Sequence, residues 1–416
     1  MGRDRPLEIL FVVHGYPPAR GGTEHAVAEL ARRLVADHGD SVRVFTGDAL
    51  AAGGFTEPRA PRLPAGTDEI DGVEVRRFRS VRTFGPVLRQ LQRVAWRFRT
   101  PFHEQLRTLF QGPILPDLER SIRETRADVV VASAFPLLHM YAALRAAHAS
   151  GRPCVLLPAL HPDDVWGFDR SMIDRALCAA DACLVYTEFE HDHVLDRGVS
   201  AERVRVLGLG VDAESLACGD RAAMRAQLGV PGDAALIGFL GQLAPHKGAD
   251  VLLQAMASLW ESHPQAHCLL AGATTGFRSD LERVVAAFPA DQRERIHWRS
   301  DFPESEKADL LAALDILAAP SRFESFGLVL LEAWAAGKPV VAGAIPAVSS
   351  LVRDGETGLL VPPADRAALA AALARLLDDP AAAAQMGAAG QREVQEQRSW
   401  KAVTARLRDE LRSVAG

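Results

Sequence analysis

The chain has 416 residues, 48% of them apolar and 24% charged, enough for cores in two or three domains at the usual ~100–200 residues each. A net charge of −6 excludes wholesale nucleic-acid binding unless one face is locally basic. The five cysteines (Cys154, Cys178, Cys183, Cys218, Cys268) are odd in number, lie mostly in apolar runs and lack C-x-x-C spacing. They read as buried thiols of a reducing compartment rather than zinc ligands or disulfides. The start, M-G-R-D-R-P-L, is too polar for a signal peptide, and no apolar run reaches the ~20 residues of a membrane helix, so the expected location is cytoplasmic.

Short apolar runs alternate with amphipathic stretches along most of the chain, the pattern of parallel sheets covered by helices. Residues 7–13 read as a buried first strand, 24–36 as its helix (Ala26, Val27, Leu30 and Leu34 at helical spacing) and 41–46 as the second strand. A polar, Gly/Pro-rich loop is expected over 47–71. Further strands are expected at 128–132, 154–157, 182–186 and 204–207, then a helix at 221–228. A second cycle begins with strand 235–240, loop 241–248, a helix to about Glu261, strand 267–271 and loop 272–276. Strands near 296–297, 316–318, 340–342 and 358–361 follow, and the last stretch is Ala-rich and helical. Two successive α/β halves, each opening strand–Gly-containing loop–helix, predict two Rossmann-like domains facing a cleft, with both opening loops pointing into it.

The most informative segment is F-E-S-F-G-L-V-L-L-E-A, which places Glu324 and Glu332 eight residues apart. Glu324 ends a loop after the apolar run 315–320. Gly327 opens a helix that Gly337 and Pro339 stop, and Glu332 lies just over one turn in. The free amides of Ser325, Phe326, Gly327 and Leu328, with the ~+0.5 charge of the helix end, form an anion site. The acids beside it are suited to accept hydrogen bonds from hydroxyls, which a sugar nucleotide offers at both ends.

The first loop, H-G-Y-P-P-A-R-G-G-T-E, is stiffened by Pro17 and Pro18. Gly21 and Gly22 let backbone approach a ligand closely before a helix that Thr23 caps. It is not G-x-G-x-x-G, and no acid closes the following strand in the dinucleotide manner, so NAD is disfavoured. The second loop, G-Q-L-A-P-H-K-G, places Lys247 to meet a diphosphate as a point charge, without matching the Walker pattern. His161, in L-H-P-D-D between a strand and a helix, either contacts substrate hydroxyls or phosphate or serves the structure. His191 and His193 point apart on a helix, and no D-x-D occurs, so amides and cationic side chains must stabilise any leaving group. Residues 76–99 hold eight arginines and no acid. There Val87, Leu91, Val94 and Phe98 fall on one helical stripe and Arg89, Arg93 and Arg97 on another. This is either a surface helix with a solvated basic face or a dock for an anionic membrane or phosphorylated acceptor.

Taken with the G-G-T-E, G-Q-L-x-x-x-K-G, R-F-E-S-F-G-L-V-L-L-E-A and D-G-E-T-G-L-L-V-P-P-A-D segments, in that order and spacing, nearly the whole chain resembles the retaining sugar-nucleotide glycosyltransferases of glycosyltransferase family 4, with the GT-B fold. Gly210-Val211-Asp212 and Ser399-Trp400 fit as well. The resemblance implies an N-terminal acceptor domain (1–210), a C-terminal donor domain (211–395) and a last helix (396–416) crossing back to the first. It implies that Glu324 binds donor-sugar hydroxyls, the amides from Ser325 to Leu328 hold diphosphate and sugar, and Glu332 accepts the ribose hydroxyls. Lys247 would neutralise the departing diphosphate, Gly21 and Gly22 would close over the donor phosphate, and His161 would line the acceptor side. Front-face attack with retention, the leaving phosphate taking the acceptor's proton, demands no separate base, no metal and no cofactor. The family commonly has G-R-L before the lysine, whereas here Gln242 replaces the arginine; the lost charge is worth on the order of 1–2 kcal/mol, and Arg322 stands near enough in sequence to compensate. The expected partners are a nucleotide-sugar donor and a sugar, lipid-linked or small-molecule acceptor, with peripheral membrane contact through residues 76–99.

Two other classes share this fold, other enzymes and non-catalytic binding proteins. A sugar-nucleotide epimerase should show extra acids working on the sugar C2, and a phosphorylase-like enzyme a pyridoxal lysine in a far longer chain. A non-catalytic sugar-nucleotide-binding protein should have lost Glu324, Lys247 or Glu332, and all three are present.

Overall fold

The opening apolar run becomes strand β1 (Glu8–Val13), five of whose six residues are buried. In the computed structural model, which describes residues 5–19, 21–50, 54–162, 164–324 and 326–416, β1 lies near the middle of an eight-stranded sheet. Its other strands are β2 (Ser41–Gly47), β3 (Gly66–Ile70), β4 (Val73–Phe78), β5 (Val129–Ser133), β6 (Cys154–Leu157), β7 (Ala182–Val185) and β8 (Val204–Val206), in the order 3-4-2-1-5-6-7-8. Every pairing is parallel except β3 with β4, a hairpin inside and just after the stretch expected to be loop. Charged residues at alternate positions of β4 (Glu74, Arg76) obscured its pattern; Val73 and Val75 are fully buried.

Helix α1 (Gly22–His38) runs two residues beyond each end of the predicted one, buries the predicted stripe and stops at Gly39, whose φ of 66° and amide bonds to Leu34 and Val35 close it. Its N-cap is Gly21, so Thr23 sits inside the helix and does not cap it. Helices α2 (Gly85–Arg97) and α3 (His103–Gln111) form a hairpin, and α4 (Leu138–Ala149) packs on β1, β5 and β6. The C-terminal helix Trp400–Ala415 belongs to this same unit: Arg408 binds Asp40 at 2.7 and 3.0 Å, and Arg406 donates to the Leu207 carbonyl. The unit comprises Met1–Gly208 and Trp400–Gly416.

The second unit, Leu209–Ser399, holds a six-stranded parallel sheet. Its strands are β9 (Leu236–Leu240), β10 (His267–Gly272), β11 (Ile296–Ser300), β12 (Ile316–Ala319), β13 (Val340–Gly343) and β14 (Gly358–Val361), in the order 11-10-9-12-13-14. The switch in strand order falls at β9, between β10 and β12, which is where open α/β sheets place ligands beyond their carboxyl ends. Three helices bear on that edge: α5 (Ala249–Ser262), α6 (Lys307–Ala313) and α7 (Leu328–Ala335). Both sheets rest on continuous apolar cores. Three cysteines are buried, as the apolar runs imply, but Cys178 and Cys218 are exposed; all five are free thiols.

Candidate active site

In the second unit the site grows from two loops at neighbouring strand ends. The loop after β9 closes in a short 3-10 turn, Pro245–Lys247, and Gly248 follows with φ 80°. A Cβ on Gly248 would lie 2.2 Å from the Pro320 carbonyl oxygen, so only glycine lets this loop press against the chain leaving β12. The Arg322 amide then donates to the His246 carbonyl at 2.7 Å, zipping the two loops together.

This backbone contact brings the predicted charges into register. Lys247 Nζ donates to Glu324 Oε1 at 2.6 Å, and the same oxygen accepts from Ser321 Oγ at 3.0 Å. Helix α7 starts immediately after, with Gly327 as its N-cap at φ 95° and Phe326 buried beneath it. The first amides of α7, beginning at Leu328, have no intrahelical acceptor and face the loop end. Ser325 lies outside the described residues. Glu332 sits on the second turn of α7, where Lys307 of α6 donates to it at 2.9 Å and contacts Glu304 at 2.5 Å. Burial works against the Lys307 charge, but Glu332 and Glu304 outweigh it and raise the pKa. Lys307 is thus a positioning residue for Glu332, and sequence reading missed it because 25 residues separate the two.

Arg322 is placed differently from the compensating role expected of it. Its guanidinium grips Asp250 at 2.9 and 3.1 Å and the Pro245 carbonyl, so it braces the two loops. Gln242 is exposed on the loop after β9. The loops after β10 and β11 are also tied. Gly272, at φ 145°, passes so close to Gly241 that a Cβ would sit 1.7 Å from its carbonyl oxygen. Asp301 accepts from the Thr274 amide and hydroxyl, and Arg278 stacks 3.5 Å over Trp298.

In the first unit the glycine loop after β1 rests on a buried pair. Glu24 folds back beneath it and accepts from His14 Nε2 at 3.1 Å, both side chains being almost wholly enclosed. Burial pushes the Glu24 carboxyl up, yet the His14 hydrogen bond and charge prevail and hold it below the ordinary range. A Cβ on Gly21 would fall 2.2 Å from Glu24 Oε2, whereas one on Gly22 would meet nothing within 4 Å. A side chain at Gly21 would thus have to displace the Glu24 carboxylate, while Gly22 faces open space. His139, whose Nε2 donates to the Ser133 carbonyl at 2.7 Å, packs 5.8 Å from His14, and burial lowers its pKa to about 3.

His161 follows β6, half-buried, its ring edge-on to Phe168 at 5.4 Å. The loop that carries it is fixed by Glu190, which accepts from the Leu160 and Tyr186 amides at 2.8 Å each and whose pKa burial raises to about 7. An acid does follow β2, contrary to expectation. Asp48 is fully buried and bound to Arg62, Arg82 and Ser80, so it ties those three together and is not available to a ribose.

Comparison with known proteins accords with this geometry. Two family descriptions match in tandem: "Glycosyltransferase Family 4" over residues 20–215 and "Glycosyl transferases group 1" over residues 220–393. D-inositol 3-phosphate glycosyltransferase of Kribbella flavida is 32% identical over 409 residues, covering 93% of this chain and 91% of that protein. The protein of that name from Saccharomonospora viridis is 38% identical over 245 residues, 57% of this chain and 56% of its own. Among solved structures, Anabaena Alr3699/HepE in complex with UDP superposes with a TM-score of 0.72 at 20% identity, covering 98% of this chain and all of that one. Sucrose-phosphate synthase from Thermosynechococcus elongatus gives 0.72 at 22%, covering 98% and 99%. With its tandem family matches and a relative aligned over nearly its whole length, the chain belongs to glycosyltransferase family 4 and is a glycosyltransferase of the GT-B fold.

Proposed function

We propose that the enzyme moves a sugar from a nucleoside-diphosphate sugar to an acceptor hydroxyl with retention of configuration and without a metal ion. The observation that carries this reading is the Lys247–Glu324 contact, which brings an ammonium from the loop after β9 onto a carboxylate four residues before the first amides of α7. The amides from Phe326 to Leu328 and the Lys247 ammonium take up the charge of the departing diphosphate, fixed donors replacing a bridging cation. Glu324, released by Lys247 as the diphosphate arrives, accepts from donor-sugar hydroxyls. Glu332, steadied on one oxygen by Lys307, keeps the other for ribose hydroxyls. The loops after β10 and β11 are the surface for the base, and His161 faces the acceptor. The departing phosphate oxygen takes the acceptor's proton, so no side-chain base is assigned.

The structural relatives solved with UDP and UDP-glucose make uridine donors the first to test, and D-inositol 3-phosphate, in the name of the curated relatives, is the first acceptor. Peripheral contact with a membrane through residues 76–99 is part of the same proposal. The test is nucleoside diphosphate release by the purified full chain across uridine, adenosine and guanosine donors, with and without excess chelator. Release that persists in chelator supports the reading; complete dependence on added Mg²⁺ removes the amide-and-lysine account.

A further inference from the structure

The hairpin α2–α3 turns its bulkiest apolar stripe away from the protein. Helix α2 buries Gly85, Leu88, Gln92 and Ala95. Gly85 is pressed so closely onto the Thr56 carbonyl that a Cβ would lie 1.7 Å from that oxygen. The stripe legible in the sequence is a different one. Val87, Leu91, Val94 and Phe98 are 58, 49, 55 and 69% exposed, and Phe84 and Phe102 lengthen the stripe at either end with 60 and 72%. Phe98 and Phe102 bracket the turn between the two helices. Six large apolar side chains in one exposed band mark a surface that meets something apolar.

Charge says what that partner is. At about 100° per residue, Arg97 borders the Val94 edge of the stripe and Arg93 follows it round the helix, while Arg89 stands opposite the stripe. No acid occurs from Arg76 to Arg99, although the whole chain carries −6. Arg89 has Glu57 beside it, while among the described residues Arg93 and Arg97 have no ion-pair partner. A second copy of this face would set arginines against arginines across a two-fold axis. A bilayer with anionic headgroups answers both halves, hydrocarbon for the stripe and negative charge for the perimeter; this is the make-up of a helix that lies in a membrane interface.

We propose that α2, with Phe98 and Phe102, seats in the surface of an anionic lipid bilayer, its apolar stripe at the headgroup–acyl boundary and Arg93 and Arg97 among the headgroups. This rests on the membrane reading of residues 76–99 and adds its depth, its face and its lipid charge. The experiment is co-sedimentation of the full chain with vesicles of phosphatidylcholine alone or with roughly one third phosphatidylglycerol. Parent, Leu91→Ser/Val94→Ser and Arg93→Gln/Arg97→Gln proteins are compared, each checked for unchanged donor hydrolysis in solution. Expected is binding at least about tenfold tighter to the anionic vesicles, weakened by salt and about tenfold by either double variant. Equal binding of parent and Leu91→Ser/Val94→Ser, no binding to either vesicle, or a concentration-dependent dimer that the same variant abolishes would overturn it. Loss of donor hydrolysis in the parent would sink the transfer reading and leave this one standing.

Discussion

At the head of α7 the charged side chains meet one another half-open to solvent: Lys247 is 25% and Glu324 11% exposed. Beneath the loop after β1 the corresponding pair, His14 and Glu24, is sealed at 7 and 5%, and what faces outward is glycine backbone. Both pairs lie at the carboxyl edge of a parallel sheet beside the start of a helix. On the proposed reading the first exchanges its partner for a ligand, a diphosphate outcompeting a single carboxylate for the ammonium and the amides. The second has no such freedom. It fixes the curvature of a loop, since a buried acid deprived of its partner is costly in any state. A basic side chain against a glutamate is thus proposed for chemistry where water reaches it and serves architecture where it does not.

The largest way to break this contrast is Lys247→Ala, which should lower kcat by about 10²–10³, the effect of removing one fixed donor to a developing anion, with little change in thermal stability. Steady-state kinetics alongside a melting curve checks it, and an unchanged kcat would move the leaving-group site elsewhere. Next comes acid lability in the first unit. The His139 pKa is depressed to about 3 and that of Glu24 lies below its ordinary value, so stability present at neutral pH is lost as pH falls, from 6.5 downward for His139 and below 4.5 for Glu24. By pH 4 the His139 contribution alone is on the order of 3 kcal/mol. Denaturant titrations should show Glu24-dependent loss only at the acid end, while His139→Gln flattens the curve between pH 6.5 and 4; parallel curves for parent and variant would contradict the buried neutral imidazole.

Glu24→Ala should cost about 2 kcal/mol of stability, because it leaves His14 buried without its acceptor, and should raise KM for the donor through a slackened glycine loop. The smallest effect sharpens the donor side. Gln242→Arg restores a charge in an exposed loop and should tighten donor binding by about 1 kcal/mol, near tenfold at most. A KM that does not move would show that the diphosphate lies beyond reach of residue 242.

Much of the second unit could be read from the chain because its candidate site residues are local: Glu324, Gly327 and Glu332 share one strand–loop–helix passage, and Lys247 stands in the loop between β9 and α5. The braces behind them could not. Arg322 finds Asp250 from 72 residues away and Lys307 finds Glu332 from 25, pairings that only the order of strands creates. In the first unit Glu24 was visible in G-G-T-E, yet nothing in its spacing says that it turns under Gly21 to meet His14. Asp48 was hidden by the irregular chain around it. Periodicity found the α2 stripe but not its direction. A 3.6-residue repeat reveals that two faces differ, and only the neighbouring Thr56 decides which of them is covered.

The proposed diphosphate site of the second unit is tested most directly by isothermal titration of UDP into the full chain in excess chelator. Expected is saturable binding in chelator that Lys247→Ala weakens at least about tenfold, a loss of 1.4 kcal/mol or more. Equal affinity in parent and variant, or binding that appears only when Mg²⁺ is restored, would contradict it.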